Sequence, residues 1–382
     1  MGSERLEIVV LGLSLTSSWG NGHATTYRAL IAALAARGHR VLFLERDVAW
    51  YAAARDLSDP GYCEVELYGD LEELRDRFDD RVRRADLVVQ GSYVPDGIAV
   101  ADWVLATARG CTAFYDIDTP VTLEALREGR CPYLAASQVP SFDLYWSFTG
   151  GLTLRALEDA HGARRARPLY CCVDPAAYFP EAPSEGRRRW DLGYMGTFSA
   201  DRQPALDALL TGVAGVLPGR RFVVAGAQYP PTSWPRNVER IEHVAPPAHR
   251  AFYGAQSFTL NLTRSAMRAA GHSPSVRLFE AAACATPIVS DAWDGVEEFF
   301  VPGEEILIAR SAGDVVRVLT ELSPRAAEAV GRRALRRVLA AHTAQRRAET
   351  VERDFAEARA AHSARVMSIR QVRRSKVPQR SL

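Results

Sequence analysis

The feature that most constrains this chain is a rhythm that runs once, breaks, and runs again. Short apolar runs recur as "LEIVVLGL" (6–13), "HRVLFLER" (39–46), "CEVELYG" (63–69), "ADLVVQGS" (85–92), "CTAFYDID" (111–118) and "LYWSFTG" (144–150). Between the first two lies "ATTYRALIAALAARG" (24–38). It carries Tyr27, Leu30, Ile31 and Leu34 at helical spacing and ends on Gly38, a favoured residue just past a helix end. Continuous apolar strands separated by amphipathic helices predict a parallel sheet covered on both faces. "RPLYCCVDPAAYFP" (167–180) breaks the rhythm with three prolines. The pattern then restarts with "WDLGYMGT", "RRFVVAGA", "VERIEHV", "SFTLNLTR", "TPIVSD" and "EEILIA".

The expected organisation is two doubly wound α/β domains, 1–170 and 187–323, joined by a linker at 171–186. Helices follow over 324–361, with Gly331 as their weak point. A basic tail over 362–382 has a composition that suits disorder. At 382 residues the chain is too long for one ordinary core.

Charge removes some partners. With 47 basic and 46 acidic residues the net charge is +1, so no global field draws in nucleic acid or an anionic membrane. Any anion site must be local. No run approaches the ~20 apolar residues of a membrane span. The N-terminus, "MGSERLEIVVLGLSL", has acids ahead of its apolar run and no small-residue cleavage site soon after, so it reads as a first strand rather than a signal peptide. The six cysteines form no C-x-x-C pair, which argues against a zinc site and for reduced core residues of a cytosolic protein.

One stretch carries more polar chemistry than a space-filling helix needs: "GHSPSVRLFEAAACATPIVSD" (271–291). Ser273-Pro274 reads as an N-cap followed by a first helical residue. The unpaired amides of such a tip favour an anion. His272 just outside it, with Ser275, Val276 and Arg277 in the first turn, suits a pyrophosphate. Glu280, three residues after Arg277, lies on the same helix face. Its carboxylate can accept two hydrogen bonds, as a ribose diol requires. The alternative is a surface Arg277–Glu280 ion pair with no ligand. Gly196 and Thr197 at the turn after "WDLGYM", with Arg202 beyond, would bring backbone and a cation to the same ligand. Arg264 and Arg268 precede the phosphate helix. "VAGAQYPPT" (224–232) would border a base, and Asp291 and Asp294 a sugar.

With its two Rossmann-like halves, its "VDPAAYFP" linker and "SVRLFEAAACATPIVSD", the chain resembles GT-B glycosyltransferases. Over 255–310 it is most similar to the spore-maturation CgeB-like branch, whose signature reads roughly S-x-R-x-F-E-x-x-A-x-G-x-P-x-x-x-D. Cys284-Ala285 departs from it, where a Gly often follows the Cys. The resemblance implies a GT-B fold in which C-terminal helices cross back to the first domain. It implies transfer of a hexosyl group from a nucleotide-diphosphate sugar without metal or other cofactor. It also implies a phosphate contact for His272. An acidic residue stands at that position in the retaining E-x7-E branch, so inversion or retention stays open.

On the acceptor side, Gly20, Asn21 and Gly22 permit a tight turn after the first strand, and His23 is either a base for an acceptor hydroxyl or a helix cap. Asp116 and Asp118 end a strand where such folds bind ligands, and strand alternation would put both on one face. They would orient His23, hold a polar acceptor or bind a divalent ion. Trp50 and Tyr51 would line an acceptor pocket or fill a core. Two rivals remain: a sugar-nucleotide 2-epimerase using Asp116 and Asp118, and a non-catalytic binding protein. Sugar, base, acceptor and oligomeric state are not legible.

Overall fold

The computed structural model describes residues 4–19, 24–181, 188–231 and 233–375, with side chains as far as 364. The first sheet has seven parallel strands: β1 (Glu7–Gly12), β2 (Arg40–Arg46), β3 (Glu64–Tyr68), β4 (Leu87–Gly91), β5 (Cys111–Asp116), β6 (Leu144–Ser147) and β7 (Ala166–Pro168). Their order is β3-β2-β1-β4-β5-β6-β7, with Val9 opposite both Leu42 and Val88. The second has six: β8 (Trp190–Met195), β9 (Phe222–Ala225), β10 (Val238–Ile241), β11 (Gln256–Asn261), β12 (Ile288–Ser290) and β13 (Leu307–Ile308), in the order β10-β9-β8-β11-β12-β13. Both are doubly wound. Their central strands are buried on both faces, which is why they read as unbroken apolar runs.

Each sheet has a switch point where strand order reverses: β1/β4 in the first and β8/β11 in the second. Ligands of such sheets bind outside the carboxyl ends of strands there. Here the two switch points face each other.

Four details differ from the sequence reading. β7 runs into the start of the stretch expected to be irregular; it is a three-residue edge strand, where Pro168 removes no ladder donor that a neighbour needs. The phosphate helix spans Val276–Ala283 with Ser275 as its N-cap, two residues later than Ser273-Pro274 suggests. The C-terminal helices break at His342-Thr343, between Pro324–Ala341 and Ala344–Ser375, and not at Gly331. The helix runs unbroken through Gly331, where a Cβ would lie 2.2 Å from the Ala285 carbonyl, so glycine permits the close approach of this helix to the turn after Val276–Ala283. The last helix also continues to Ser375, past the expected end at 361.

That helix does cross back. Val173 bridges to Thr343, and Ala344 donates to the Val173 carbonyl at 2.9 Å. Glu352 pairs with Arg37 and His39, and Trp146 Nε1 donates to Asp354 Oδ2 at 2.9 Å. Among the described residues no helix is long and apolar enough to cross a membrane.

Candidate functional site

A cleft of about 600 Å³ opens between the two switch points. The loops after β1, β4, β5 and β6 supply Ser18, Tyr93, Asp118 and Phe148, with Thr25 from the helix Ala24–Ala36. The loops after β8 to β11 supply Gly196 to Ser199, Gly226, His243 and Arg264, and the helix Val276–Ala283 supplies its tip.

The second-domain wall is cationic. Arg277 is 9% exposed, with its guanidinium 5.0 Å over the Tyr194 ring; Nη1 donates to Asn261 Oδ1 at 3.0 Å. The same oxygen accepts from Ser275 Oγ at 2.7 Å, so Asn261, at the end of β11, sets both side chains. Ser275 makes no side-chain cap, which leaves the helix amides toward the cleft without a side-chain acceptor. Arg202 Nη2 donates to the Thr197 carbonyl at 2.8 Å, and its Nε is buried without a partner. Burial, and then Arg277 and Arg264, lower the Arg202 pKa. Among the described residues no carboxylate lies within ion-pair distance of Arg202 or Arg277. Gly226 brings the loops after β8 and β9 together: a Cβ there would lie 2.0 Å from the Gly196 carbonyl, and its φ is +148°. This wall presents cations and amides to an anion in a partly buried place.

Glu280 lies on the same cleft and is 3% exposed. Its surroundings are polar. Oε1 accepts from Tyr178 OH at 3.0 Å and Thr25 Oγ1 at 3.2 Å; Oε2 accepts from Tyr253 OH at 3.1 Å. Tyr178 OH also meets His249 Nδ1 at 2.9 Å.

Some expected residues lie elsewhere. The His272 ring is held by Glu298 (Nδ1 to Oε1, 2.7 Å) and packs on Gly151 and Gly295, so it is not among the residues lining the cleft. Its carbonyl accepts from Gly150 N–H at 2.9 Å, joining the domains behind the tip. Ser273 lines the cleft, but its hydroxyl is shared with Thr149 Oγ1 at 2.9 Å. Asp116 and Asp118 do not share a face, because β5 stops at Asp116 and the alternation stops with it. Asp116 is fully buried and accepts from Tyr145 OH (2.6 Å), Thr122 Oγ1 (2.8 Å) and Asp118 N–H (3.2 Å). Burial pushes its pKa up to about 6, against those three bonds. Asp118 faces the cleft, where Oδ2 accepts from Tyr93 OH at 2.8 Å and pairs across it with Arg264 at 2.8 Å. Trp50 is 59% exposed and Tyr51 is buried; neither lines the cleft. Asp291 is buried and holds the loop after β11 through Thr263. Gly20, Asn21, Gly22 and His23 lie outside the described residues.

The sequence reading missed the anchors of the loop that leads to His23. Glu45, fully buried at the end of β2, accepts from Ser14 Oγ, Leu15 N, Thr16 N and Thr16 Oγ1 at 2.6–3.0 Å. Asp56 accepts from Ser18 N and Oγ and from both terminal nitrogens of Arg28. Burial opposes its ionisation, but Arg28 and Ser18 outweigh this and pull its pKa to about 2. The one visible signal was an acid, Glu45, closing an apolar strand. Cys111, Asp143 and His362 also converge, but at the amino ends of β5 and β6, opposite the cleft, where Asp143 already accepts from Thr112 N–H.

The likenesses to known proteins agree with this geometry. Residues 202–353 match a family model described as "Glycosyl transferase-like". No curated protein matches the chain. Sucrose-phosphate synthase from Thermosynechococcus elongatus is similar in structure with a TM-score of 0.69 at 16% identity, over 93% of this chain and 100% of that one. Anabaena HepE in complex with UDP and glucose gives 0.68 at 12%, over 92% and 100%. An alpha-glucosyltransferase in complex with UDP and a 13-mer DNA gives 0.68 at 12%, over 92% and 99%. The fold is GT-B, two Rossmann-like domains facing a cleft.

Proposed function

We propose that the protein is a glycosyltransferase of the CgeB-like branch. It moves a hexosyl group from a nucleotide-diphosphate sugar to an acceptor bound by the first domain, without a metal, in the cytoplasm. The observation that carries this reading is the pairing of two features on one cleft wall. Arg202 and Arg277, without carboxylate partners among the described residues, flank the tip of the helix Val276–Ala283, and Glu280 lies further along that helix. As the bond from the anomeric carbon to phosphate oxygen breaks, negative charge builds on the diphosphate. Preorganised donors aimed at that charge lower the barrier, the task a metal performs elsewhere. Gly196 and Thr197 bring backbone to the diphosphate, and Glu280 holds the ribose. Arg264 is shared between the diphosphate and Asp118.

His23 is assigned as the base for an inverting reaction. Asp118 is the poorer candidate, since Arg264 and Tyr93 both engage its Oδ2. It would instead orient the acceptor. The epimerase reading loses its pair of acids, because Asp116 is sealed behind Asp118.

The test is UDP binding by calorimetry together with release of UDP from UDP-glucose. Arg277→Ala removes charge-assisted bonds worth about 1.5–3 kcal/mol each, so UDP should bind at least about tenfold more weakly. Wild-type affinity in Arg277→Ala would refute the reading. Release of a free sugar epimer without acceptor would favour the epimerase.

A further inference from the structure

Glu280 is already largely occupied. A carboxylate offers about four acceptor positions, two per oxygen. Thr25 and Tyr178 take both on Oε1, and Tyr253 takes one on Oε2. These hydroxyls come from three places: the first helix of the first domain, the linker, and the helix Pro246–Gly254 of the second domain. A ribose diol donates one hydroxyl to each carboxylate oxygen. Oε2 has room, but Oε1 does not, so one protein hydroxyl must leave.

Tyr253 is fully buried and Tyr178 is 6% exposed. Tyr178 is also backed by His249 at 2.9 Å, whose other ring nitrogen meets the Val244 carbonyl at 3.0 Å. Thr25 makes the longest of the three bonds, is only partly buried and lines the cleft.

Resting on the ribose role given to Glu280 above, we propose that Thr25 is a displaceable stand-in for a ribose hydroxyl. Until donor binds, it satisfies Glu280 and ties the first domain to the donor helix. Donor ribose takes its place, so nucleotide binding competes with this contact between the domains. Thr25 thus lowers affinity for the nucleotide, and its bond breaks on each cycle of filling the site.

The experiment measures UDP and 2′,3′-dideoxy-UDP binding by calorimetry to wild type, Thr25→Val, Thr25→Ser and Glu280→Gln. Thr25→Val removes the competitor and should bind UDP about three- to tenfold more tightly, the range of one ordinary hydrogen bond. The gain should vanish with 2′,3′-dideoxy-UDP, which brings no hydroxyls to compete. Thr25→Ser keeps the hydroxyl and should match wild type. Unchanged or weaker UDP binding in Thr25→Val, with Glu280→Gln still reducing the preference for UDP over its dideoxy form, overturns this proposal and leaves the ribose role of Glu280 standing. A wild type that does not distinguish UDP from its dideoxy form overturns both.

Discussion

Asp116→Asn separates the cost of burying a charge from the shape of the acceptor wall. Asp116 is fully buried, and its pKa is raised from the ordinary 3.8 to about 6, chiefly by burial. The folded state therefore holds the proton more tightly than the unfolded chain does. Between about pH 4 and pH 6 the unfolded chain gives up this proton first, so stability falls as pH rises through that window. At about 1.4 kcal/mol per pH unit, the gap amounts to about 3 kcal/mol above pH 6. Asparagine carries no charge to bury. Its Oδ1 still accepts from Thr122 and from Asp118 N–H, and the Tyr145 hydroxyl can turn to accept from its amide. The assay is urea unfolding of both proteins from pH 4 to pH 8, taken as a difference so that other titrating groups cancel. Relative to wild type, Asp116→Asn should gain about 3 kcal/mol between pH 4 and pH 7. An offset that does not change with pH would refute the reasoning.

His342 should show the opposite slope. Burial, and then Arg347 and Arg337, push its pKa down to about 3, so stability present above pH 6.5 is lost as pH falls toward 3. Its ring stacks on Phe279 at 4.6 Å, where the chain crosses back to the first domain. In the difference between wild type and His342→Gln, that loss should approach about 5 kcal/mol, read by the same urea titration. Glu45→Gln places an amide donor against hydroxyl and backbone donors of the loop before His23. Release of UDP from UDP-glucose should fall at least about tenfold, since displacing a reacting group by ~1 Å costs on the order of a hundredfold. UDP affinity, measured by calorimetry, should change little, because Glu45 lies behind the opposite wall.

The central strands of both sheets were legible because strands buried on two faces must be apolar throughout. β7 was not, since three residues ending in Arg167-Pro168 carry no period. The helix Val276–Ala283 was legible from Ser, Arg and Glu at helical spacing, but its start was not. Ser273-Pro274 has the form of a cap, yet the Ser273 hydroxyl is committed to Thr149, 124 residues away, and the N-cap position falls to Ser275, whose hydroxyl goes to Asn261 instead. His272 went astray for a similar reason. Its φ of +49° turns the chain between Gly271 and the helix, and its ring meets Glu298, 26 residues on. Local spacing predicts what a residue's own element does. It does not predict which distant partner claims the side chain.

That limit explains the uneven result at the cleft. On the second-domain wall the cations Arg202 and Arg277 lack carboxylate partners among the described residues, which leaves them available to the anion that the proposed function requires. Behind the first-domain wall Glu45 and Asp116 are buried and hydrogen-bonded, Glu45 by residues about thirty positions away and Asp116 by Tyr145 as well as by the nearby Thr122 and Asp118. They act by fixing loops. An unpaired carboxylate there would pull on Arg202 and Arg277 and close the cleft on itself. Asp118 is the exception, and its partner, Arg264, belongs to the opposite wall. A nucleotide diphosphate entering the cleft would draw Arg264 toward phosphate and loosen the ion pair that spans the gap. The Thr25–Glu280 bond spans the same gap, and in the reading above it yields to the same ligand. The two contacts would then break together, while Gly150–His272 and Thr149–Ser273 keep the domains joined behind the helix tip.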